Sequence, residues 1–139
     1  MTVLLPMLEP EPAQKPRPRR SWRRKFRAAL RGMKLGVRGH SSFFVHFFVA
    51  ALVVAAAIVL GCDVVDWCIL LGCIALVLVC ELFNSALETL FKGLDEGTRE
   101  RSWHALDIAA GAVLLASIGA AVIGTIVFVH RLALDLGAF

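Results

Sequence analysis

Three long apolar segments dominate the chain. They run from Phe43 to Leu60, from Trp67 to Phe91 and from Ile108 to Val129. Each is close to or above the roughly 20 helical residues that cross the hydrocarbon core of a bilayer. The pattern therefore predicts an all-α membrane protein with three transmembrane helices.

A further helix is predicted ahead of the first span, from residue 21 to residue 38, with Ser21 as its N-cap. Its apolar side chains recur at steps of three and four, and basic side chains cover the other face. The apolar positions are Trp22, Phe26, Leu30, Met33 and Val37. We expect an amphipathic surface helix whose apolar stripe lies in the headgroup layer. A simpler role as a positively charged cytoplasmic anchor is compatible with this arrangement.

Composition and charge agree with a membrane protein. Apolar residues make up 58% of the 139 residues and the mean hydropathy is +0.74, which excludes an ordinary soluble domain. Eleven of the 15 basic residues precede the first span. An anionic membrane surface is therefore the expected partner of this basic segment, in preference to nucleic acid.

The sequence predicts how the chain divides into segments. Residues 1–20 contain all five prolines and read as a disordered cytoplasmic tail. The surface helix covers residues 21–38, the three-helix domain residues 39–131, and a short tail residues 132–139. The cysteines follow no CxxC spacing and behave as small apolar residues, although a disulfide between Cys62 and Cys68 remains open.

The distribution of charge predicts the orientation in the membrane. The link between the first two spans carries Asp63 and Asp66 and no Lys or Arg, whereas Lys92, Arg99 and Arg101 follow the second span. Because basic residues favour the cytoplasmic side, the N-terminus and the second link are expected there. An odd number of spans then places the C-terminus outside.

A stripe of small residues lies on the third span, at Ala112, Ala116, Ala120 and Gly124. Such a stripe allows close helix packing, and three spans alone enclose polar groups poorly. We therefore expect a homo-oligomer with sites between helices. An ordinary contact within one protomer is the alternative.

Polar residues interrupt the second span at Glu81, Asn84, Ser85 and Glu88. Their spacing of i, i+3, i+4 and i+7 places them on one face of a helix. An acidic residue in hydrocarbon costs about 2.5–3.5 kcal/mol on insertion scales, so a stripe with two carboxylates indicates a function. The helical rise places Glu81 about 10 Å below the cytoplasmic boundary and Glu88 near that boundary.

This placement is typical of chemistry between a lipid headgroup and a soluble reagent. Glu81 is then a candidate general base and Glu88 a candidate cation ligand. A proton pathway and a purely structural hydrogen-bonding role are the alternatives. The third span begins with Ser102 as a candidate N-cap and Asp107 in its first turns, either as part of the site or as a helix-dipole partner. The preceding loop, residues 92–101, offers glycines and cations for a polyphosphate.

Two segments carry a resemblance to a known family. Glu81 to Glu88 reads Glu-Leu-Phe-Asn-Ser-Ala-Leu-Glu, and eighteen residues later Asp107 begins Asp-Ile-Ala-Ala-Gly-Ala-Val. Together they resemble the signature of the prokaryotic diacylglycerol and undecaprenol kinases, from about Gly39 to the end of the third span. The resemblance implies a bacterial inner-membrane homotrimer that uses ATP and Mg²⁺ to phosphorylate a lipid alcohol.

The resemblance also implies roles for individual residues. Glu81 corresponds to the general base, Asn84 to a residue that orients the site, and Glu88 to a magnesium ligand. The nucleotide contacts correspond to Asp107 and to the loop residues Gly97, Thr98 and Arg99.

This sequence departs from the family pattern at several positions. Leu106 stands where the family has a lysine, and Lys92 where it has an aspartate, so Lys92, Arg99 or Arg101 is expected to meet phosphate. His40 falls at an acidic metal ligand, although imidazole suits magnesium poorly and could contact phosphate when protonated. Phe44 replaces an arginine, and His46 matches a histidine of the undecaprenol kinase branch.

The sequence therefore predicts phosphoryl transfer to diacylglycerol or undecaprenol. A catalytically silent family member that acts as a membrane assembly or lipid-binding protein is the alternative that Leu106 and His40 leave open. A small proton or ion pathway along Glu81 and Glu88 is a second.

Overall fold

The computed structural model describes residues 21–39 and 42–137, and these residues form five helices. The helices are α1 (Trp22–Gly39), α2 (Ser42–Val59), α3 (Val64–Lys92), α4 (Glu96–Ser102) and α5 (His104–Asp135). Within the described ranges, α2, α3 and α5 are long and apolar enough to cross a membrane. The predictions of an all-helical chain and of three membrane helices are therefore confirmed.

Helix α3 begins in a capping box. The Asp63 carboxylate accepts hydrogen bonds from the backbone N–H groups of Val65 and Asp66, at 2.8 and 3.0 Å. In return, the Asp66 carboxylate accepts from the Asp63 N–H at 3.3 Å. These bonds satisfy donors that a helix N-terminus leaves unpaired, and α3 consequently starts at Val64, before the predicted Trp67.

The same two aspartates bind α5. The Arg131 guanidinium forms ion pairs with Asp63 and Asp66, and Asp66 is buried. We call Asp63, Asp66 and Arg131 the ionic clamp. The sequence was interpreted here only as a guide to membrane orientation, and the partnership between the aspartates and Arg131 was missed. The clamp joins the beginning of α3 to the end of α5.

Helices α3 and α5 form the main packing contact of the protomer. Next to the ionic clamp, Ala57, Leu70 and Val127 form a small apolar core. Gly124 is also buried, and a Cβ atom there would lie 3.9 Å from the Leu70 Cδ2 atom. At Gly124, therefore, the small-residue stripe faces the inside of the protomer, as in the alternative that the sequence left open.

The segment predicted as a flexible loop after the second span contains helix α4. The Asp95 carboxylate caps α4 by accepting from the Thr98 N–H at 3.1 Å and from the Thr98 hydroxyl at 2.6 Å. Ser102 ends α4, so its prediction as the N-cap of the third span is wrong. Trp103 precedes α5 with a helical backbone, and no side chain caps that helix. An N-cap needs a non-helical residue, which this close junction lacks.

The remaining boundaries stay predictions. The tail of residues 1–20 and His40 lie outside the described residues. Helix α1 covers the range predicted for the surface helix, and its apolar Trp22, Phe26 and Met33 are exposed. Helix α5 continues to Asp135, into the segment predicted as a C-terminal tail.

Candidate active site

The polar stripe of α3 is turned toward the interior of the protomer. Glu81 is 2% exposed, Asn84 8% and Ser85 1%, whereas Phe83 between them is 69% exposed. The helical period explains the contrast, because positions i, i+3 and i+4 share a face that Phe83 does not. The stripe therefore does not face surrounding lipid from the outside of the protomer.

Glu81 is paired with a histidine of the neighbouring span. The Nε2 atom of His46, on α2, lies 3.8 Å from the Glu81 Oε2 atom. The other carboxylate oxygen, Oε1, is buried and has no hydrogen-bond partner in the described part of the chain. One oxygen of the candidate base therefore faces the imidazole, and the second is enclosed in the protomer without a partner among the described residues.

The next turn of α3 contains a linked amide and carboxylate. The Asn84 Nδ2 atom donates to the Glu88 Oε1 atom at 3.0 Å, across the i to i+4 spacing of the helix. Asn84 is buried and Glu88 is half-buried, so the pair extends from the interior toward the surface. The amide fixes the orientation of the Glu88 carboxylate relative to Glu81.

Helix α1 reaches the same site. Gly36 lies against Leu82, and a Cβ atom at Gly36 would overlap the Leu82 Cδ1 atom. Glycine at this position lets α1 approach the Leu82 side chain without overlap. Leu82 follows Glu81 in sequence, so α1 contacts the turn of α3 that carries the candidate base. The sequence predicts Gly36 on a surface helix, but its pattern does not predict this contact with α3.

The candidate nucleotide residues lie at the junction of α3, α4 and α5. The Arg99 guanidinium donates to the carbonyl oxygen of Phe91, at 3.2 Å, and to that of Lys92. It thereby caps the C-terminal end of α3, where carbonyl groups lack helical partners. Lys92, Gly97 and Arg101 are exposed, and so is Asp107.

Thr98 is engaged within α4. Its hydroxyl and its backbone N–H both bind Asp95, and these bonds hold the pKa of the Asp95 carboxyl below its usual range. Its role in binding a nucleotide remains a prediction, as does that of Gly97. The bonds of Thr98 and Arg99 show instead how α4 is attached to the end of α3.

The donor set around Glu88 fits a magnesium ion shared with a substrate. The described residues contain no group of three or more His, Cys, Asp or Glu that could enclose a metal. Magnesium, however, is commonly bound by one or two carboxylates together with substrate phosphates. The oriented Glu88 carboxylate meets this minimum. His40, the other candidate ligand, lies outside the described residues.

An apolar cavity opens between the three membrane helices, next to the histidine that contacts Glu81. Its volume is about 290 Å³. His46 lies at one end, and Leu70 and Gly124 lie at the other. The remaining lining residues are Val45, Val49, Ala50, Val53, Cys73, Ile74, Val77, Leu78, Ser117, Ala120 and Ala121. A cavity of this composition suits a hydrocarbon chain.

These features define the class of the molecule: a helical membrane protein with a carboxylate site inside its protomer, next to an apolar cavity. The family model for prokaryotic diacylglycerol kinase matches residues 27–128. The chain therefore belongs to the prokaryotic diacylglycerol kinase family.

A curated relative supports this assignment. The chain is similar to a diacylglycerol kinase of Synechocystis sp., with 35% identity over 104 residues. The alignment covers 71% of this chain and 57% of the relative, so the chain spans little more than half of that protein's length. No solved structure is significantly similar to the chain.

Proposed function

We propose that the protein is a lipid kinase that transfers the γ-phosphoryl group of ATP to the hydroxyl group of a membrane lipid. The observation that carries this proposal is the buried Glu81, paired with His46 at the end of an apolar cavity. A lipid chain in the cavity would bring its headgroup to a carboxylate. Membership of the prokaryotic diacylglycerol kinase family supports the same chemistry.

Glu81 acts as the general base in this proposal. Its unpartnered oxygen accepts the proton of the lipid hydroxyl as the hydroxyl oxygen attacks the γ-phosphorus atom. The bond between that phosphorus and the bridging oxygen of ADP breaks, and ADP leaves with the electron pair. His46 faces the other oxygen of Glu81 and holds the carboxylate in place. The products are a phosphorylated lipid and ADP.

Asn84 and Glu88 position the phosphate groups of the nucleotide in this proposal. Asn84 donates to Glu88, which would hold magnesium together with phosphate oxygens. When bound, magnesium neutralises charge on the phosphates. In this proposal Glu88 therefore acts on the nucleotide, through magnesium, and Glu81 acts on the lipid hydroxyl.

Cations near the cytoplasmic end complete the proposed site. Leu106 cannot neutralise phosphate, and the Arg99 guanidinium already binds two carbonyl groups of α3. Lys92 follows Glu88 by one helical turn and is exposed, as is Arg101. We therefore assign phosphate neutralisation to Lys92 and Arg101, with Asp107 facing the nucleotide from α5.

A homotrimer in a bacterial inner membrane is proposed as the working assembly. Within the apolar windows of α2, α3 and α5, only 11, 22 and 17% of the residues are buried in the protomer. Most of the apolar surface is therefore left to lipid or to other copies of the chain. In the proposed orientation the N-terminus is cytoplasmic and the C-terminus outside.

The conservative variant Glu81→Gln tests the base. Purified protein is reconstituted with labelled ATP, Mg²⁺ and a panel of diacylglycerol and undecaprenol acceptors, and labelled lipid is separated by thin-layer chromatography. We expect Glu81→Gln to keep nucleotide binding and to lose about 100-fold or more in turnover. The exposed Glu100→Gln on α4 is the matched control and should keep wild-type turnover.

The same assay separates the alternatives. A wild-type protein that phosphorylates no acceptor, and that ATP with Mg²⁺ does not stabilise against heat, would be a silent family member. Proton flux into proteoliposomes without nucleotide would indicate the ion pathway instead. Full turnover by Glu81→Gln would refute the assignment of the base.

A further inference from the structure

We propose that the apolar cavity is the binding site for one ester-linked acyl chain of a glycerolipid, and that the Ser117 hydroxyl donates to the ester carbonyl of that chain. This inference rests on the proposed function and deepens it, because it selects diacylglycerol over a polyprenol as the acceptor. The cavity, the Ser117 hydroxyl and the distance of both from Glu81 carry it.

The cavity has the position and size expected for a single chain. It is lined on α3 from Leu78 to Leu70, which corresponds to roughly 12 Å of helix axis. At the Leu78 end His46 lines the cavity, and its Nε2 atom is 3.8 Å from Glu81. At the other end Leu70 and Gly124 form the floor. A volume of about 290 Å³ is at the lower end for ligand pockets, so it accommodates a chain and not a whole lipid.

Ser117 adds a hydroxyl group to the lining of the apolar cavity, and a plain hydrocarbon has no atom that could accept a hydrogen bond from it. Its Oγ atom is buried and has no hydrogen-bond partner among the described residues. Ser and Thr hydroxyls in helices usually bind the carbonyl four residues earlier, as Thr125 does with Ala121 at 2.8 Å. A buried hydroxyl without a partner is unfavourable. An acceptor atom on a ligand in the cavity would satisfy it.

The depth of Ser117 matches an ester group. Helices α3 and α5 are antiparallel, and Leu70 of α3 adjoins Gly124 of α5. Moving seven residues forward along α3 and seven back along α5 therefore brings Val77 opposite Ser117. Ser117 is then about one helical turn, roughly 6 Å, from the depth of Glu81. In a diacylglycerol the ester carbonyls lie only a few bonds from the free hydroxyl. A polyprenol has only hydrocarbon at that distance.

The first test compares acceptors with and without carbonyl groups. Full-length protein in mixed micelles is supplied with ATP, Mg²⁺ and either dioctanoylglycerol or its diether analogue. We expect Ser117→Ala to lower kcat/KM for the diester by about 3- to 10-fold and to leave the diether unchanged, because only the diester offers the acceptor. Thr125→Ala, whose hydroxyl is satisfied within α5, should leave both values at the wild-type level. Equal losses on both acceptors, or no loss on either, would overturn the role of Ser117.

The second test does not depend on turnover. A diacylglycerol with a photoreactive diazirine at the end of one chain is expected to label the peptides that contain Leu70 or Gly124. Gly124→Leu should abolish this labelling by filling the floor, where the first added atom meets only Leu70, at 3.9 Å. Gly72→Leu is the matched control, since a Cβ at Gly72 meets nothing within 4 Å and Gly72 does not line the cavity.

The two tests separate this inference from the proposed function. Labelling of the cavity floor without any phosphoryl transfer would support the chain site and refute the kinase proposal. Phosphoryl transfer to diacylglycerol without labelling of the floor would support the kinase proposal and refute the chain site. A polyprenol probe that labels the floor as well as the diacylglycerol probe does would also overturn the inference.

Discussion

At the scale of single residues, the site depends on a carboxylate and an imidazole from different helices. Glu81 is almost fully buried, and an isolated carboxylate in such surroundings is costly. The Nε2 atom of His46 lies 3.8 Å from the Glu81 Oε2 atom. The imidazole therefore gives the buried carboxylate a polar partner and can hold its orientation.

Replacing His46 tests this pairing. We expect His46→Gln to lower kcat by about 10- to 100-fold, because Glu81 loses the partner that orients it. The KM for the nucleotide should stay unchanged, since His46 is on the lipid side of the site. Steady-state kinetics with varied ATP separates the two constants. His130→Gln, at the far end of α5, serves as the control, and wild-type kcat in His46→Gln would exclude an orienting role for His46.

The sequence was sufficient for the acidic stripe but not for its partners. Glu81, Asn84 and Glu88 stand out because polar residues are rare in an apolar helix and their spacing alone defines a shared face. The contact between His46 and Glu81 depends on how α2 is rotated against α3, which local spacing does not specify. For the same reason the bonds of the Arg99 guanidinium to the end of α3 were not predicted, and its contact with a nucleotide stays a prediction.

At the scale of helices, α3 is the element on which the others are arranged. Its first turn is capped by Asp63 and tied to α5 through Arg131. Its last turn is capped by the Arg99 guanidinium from α4. Fixing both ends of a helix limits rotation and sliding, which would displace Glu81 and Asn84. The helix that carries the site is thus the one most firmly held.

Because Asp63 caps α3 as a carboxylate, the stability of the fold is expected to fall at acidic pH. The Asp66 backbone N–H, then Arg131 and the Val65 N–H, hold the pKa of the Asp63 carboxyl below its ordinary value of 3.8. A lowered pKa in the folded state means that ionised Asp63 stabilises the fold above pH 3.8 and that this stabilisation is lost as the pH falls further. We expect Asp63→Asn, which keeps an N-cap side chain, to reduce the fall in Tm below that pH.

Thermal unfolding of detergent-solubilised protein, measured between about pH 6 and about pH 2, checks this expectation. Asp135→Asn is the control, because Asp135 is an exposed carboxylate near the end of α5. An acid-induced fall in Tm that is as steep in Asp63→Asn as in the wild type would show that another group is responsible.

The contact of α1 with α3 gives a second prediction at this scale. Leucine at Gly36 would overlap the Leu82 side chain, so either that side chain or α1 must move next to Glu81. We expect Gly36→Leu to lower kcat/KM about tenfold or more, since small displacements of catalytic groups are costly. Gly32→Leu, one turn earlier on α1, adds the same side chain where nothing lies within 4 Å and should have little effect. Equal activity of the two variants would contradict a role for this contact.

The predicted elements differ in how strongly local sequence determines them. The spans were predicted with ends a few residues short of α3 and α5, because a long apolar run defines a membrane helix with little tertiary information. Helix α4 was missed because it has seven residues and no apolar pattern. Its formation depends on the Asp95 cap and on attachment of Arg99 to α3.

At the scale of the whole molecule, the two ends of the bundle differ in chemistry. One end carries the ionic clamp, in which Asp63, Asp66 and Arg131 bind one another. The opposite end carries Lys92, Arg101 and the basic side chains of α1, which are exposed. The excess of Lys and Arg next to the spans sets membrane orientation. Arg131 is the one Lys or Arg that follows Arg101, so it is outnumbered by the cations of the basic end.

This asymmetry predicts a cytoplasmic basic end and an external C-terminus. A cysteine at Glu100, which is exposed on α4, should react with a membrane-impermeant maleimide only after cells are permeabilised, with the wild-type protein giving the background of the native cysteines. Alkaline phosphatase fused to the C-terminus of the full chain should be active, because it folds only outside the cytoplasm. Labelling of Glu100→Cys in intact cells together with an inactive fusion would mean the reverse orientation. The proposed nucleotide residues would then lie on the side of the membrane opposite to cytoplasmic ATP, which would contradict the proposed reaction.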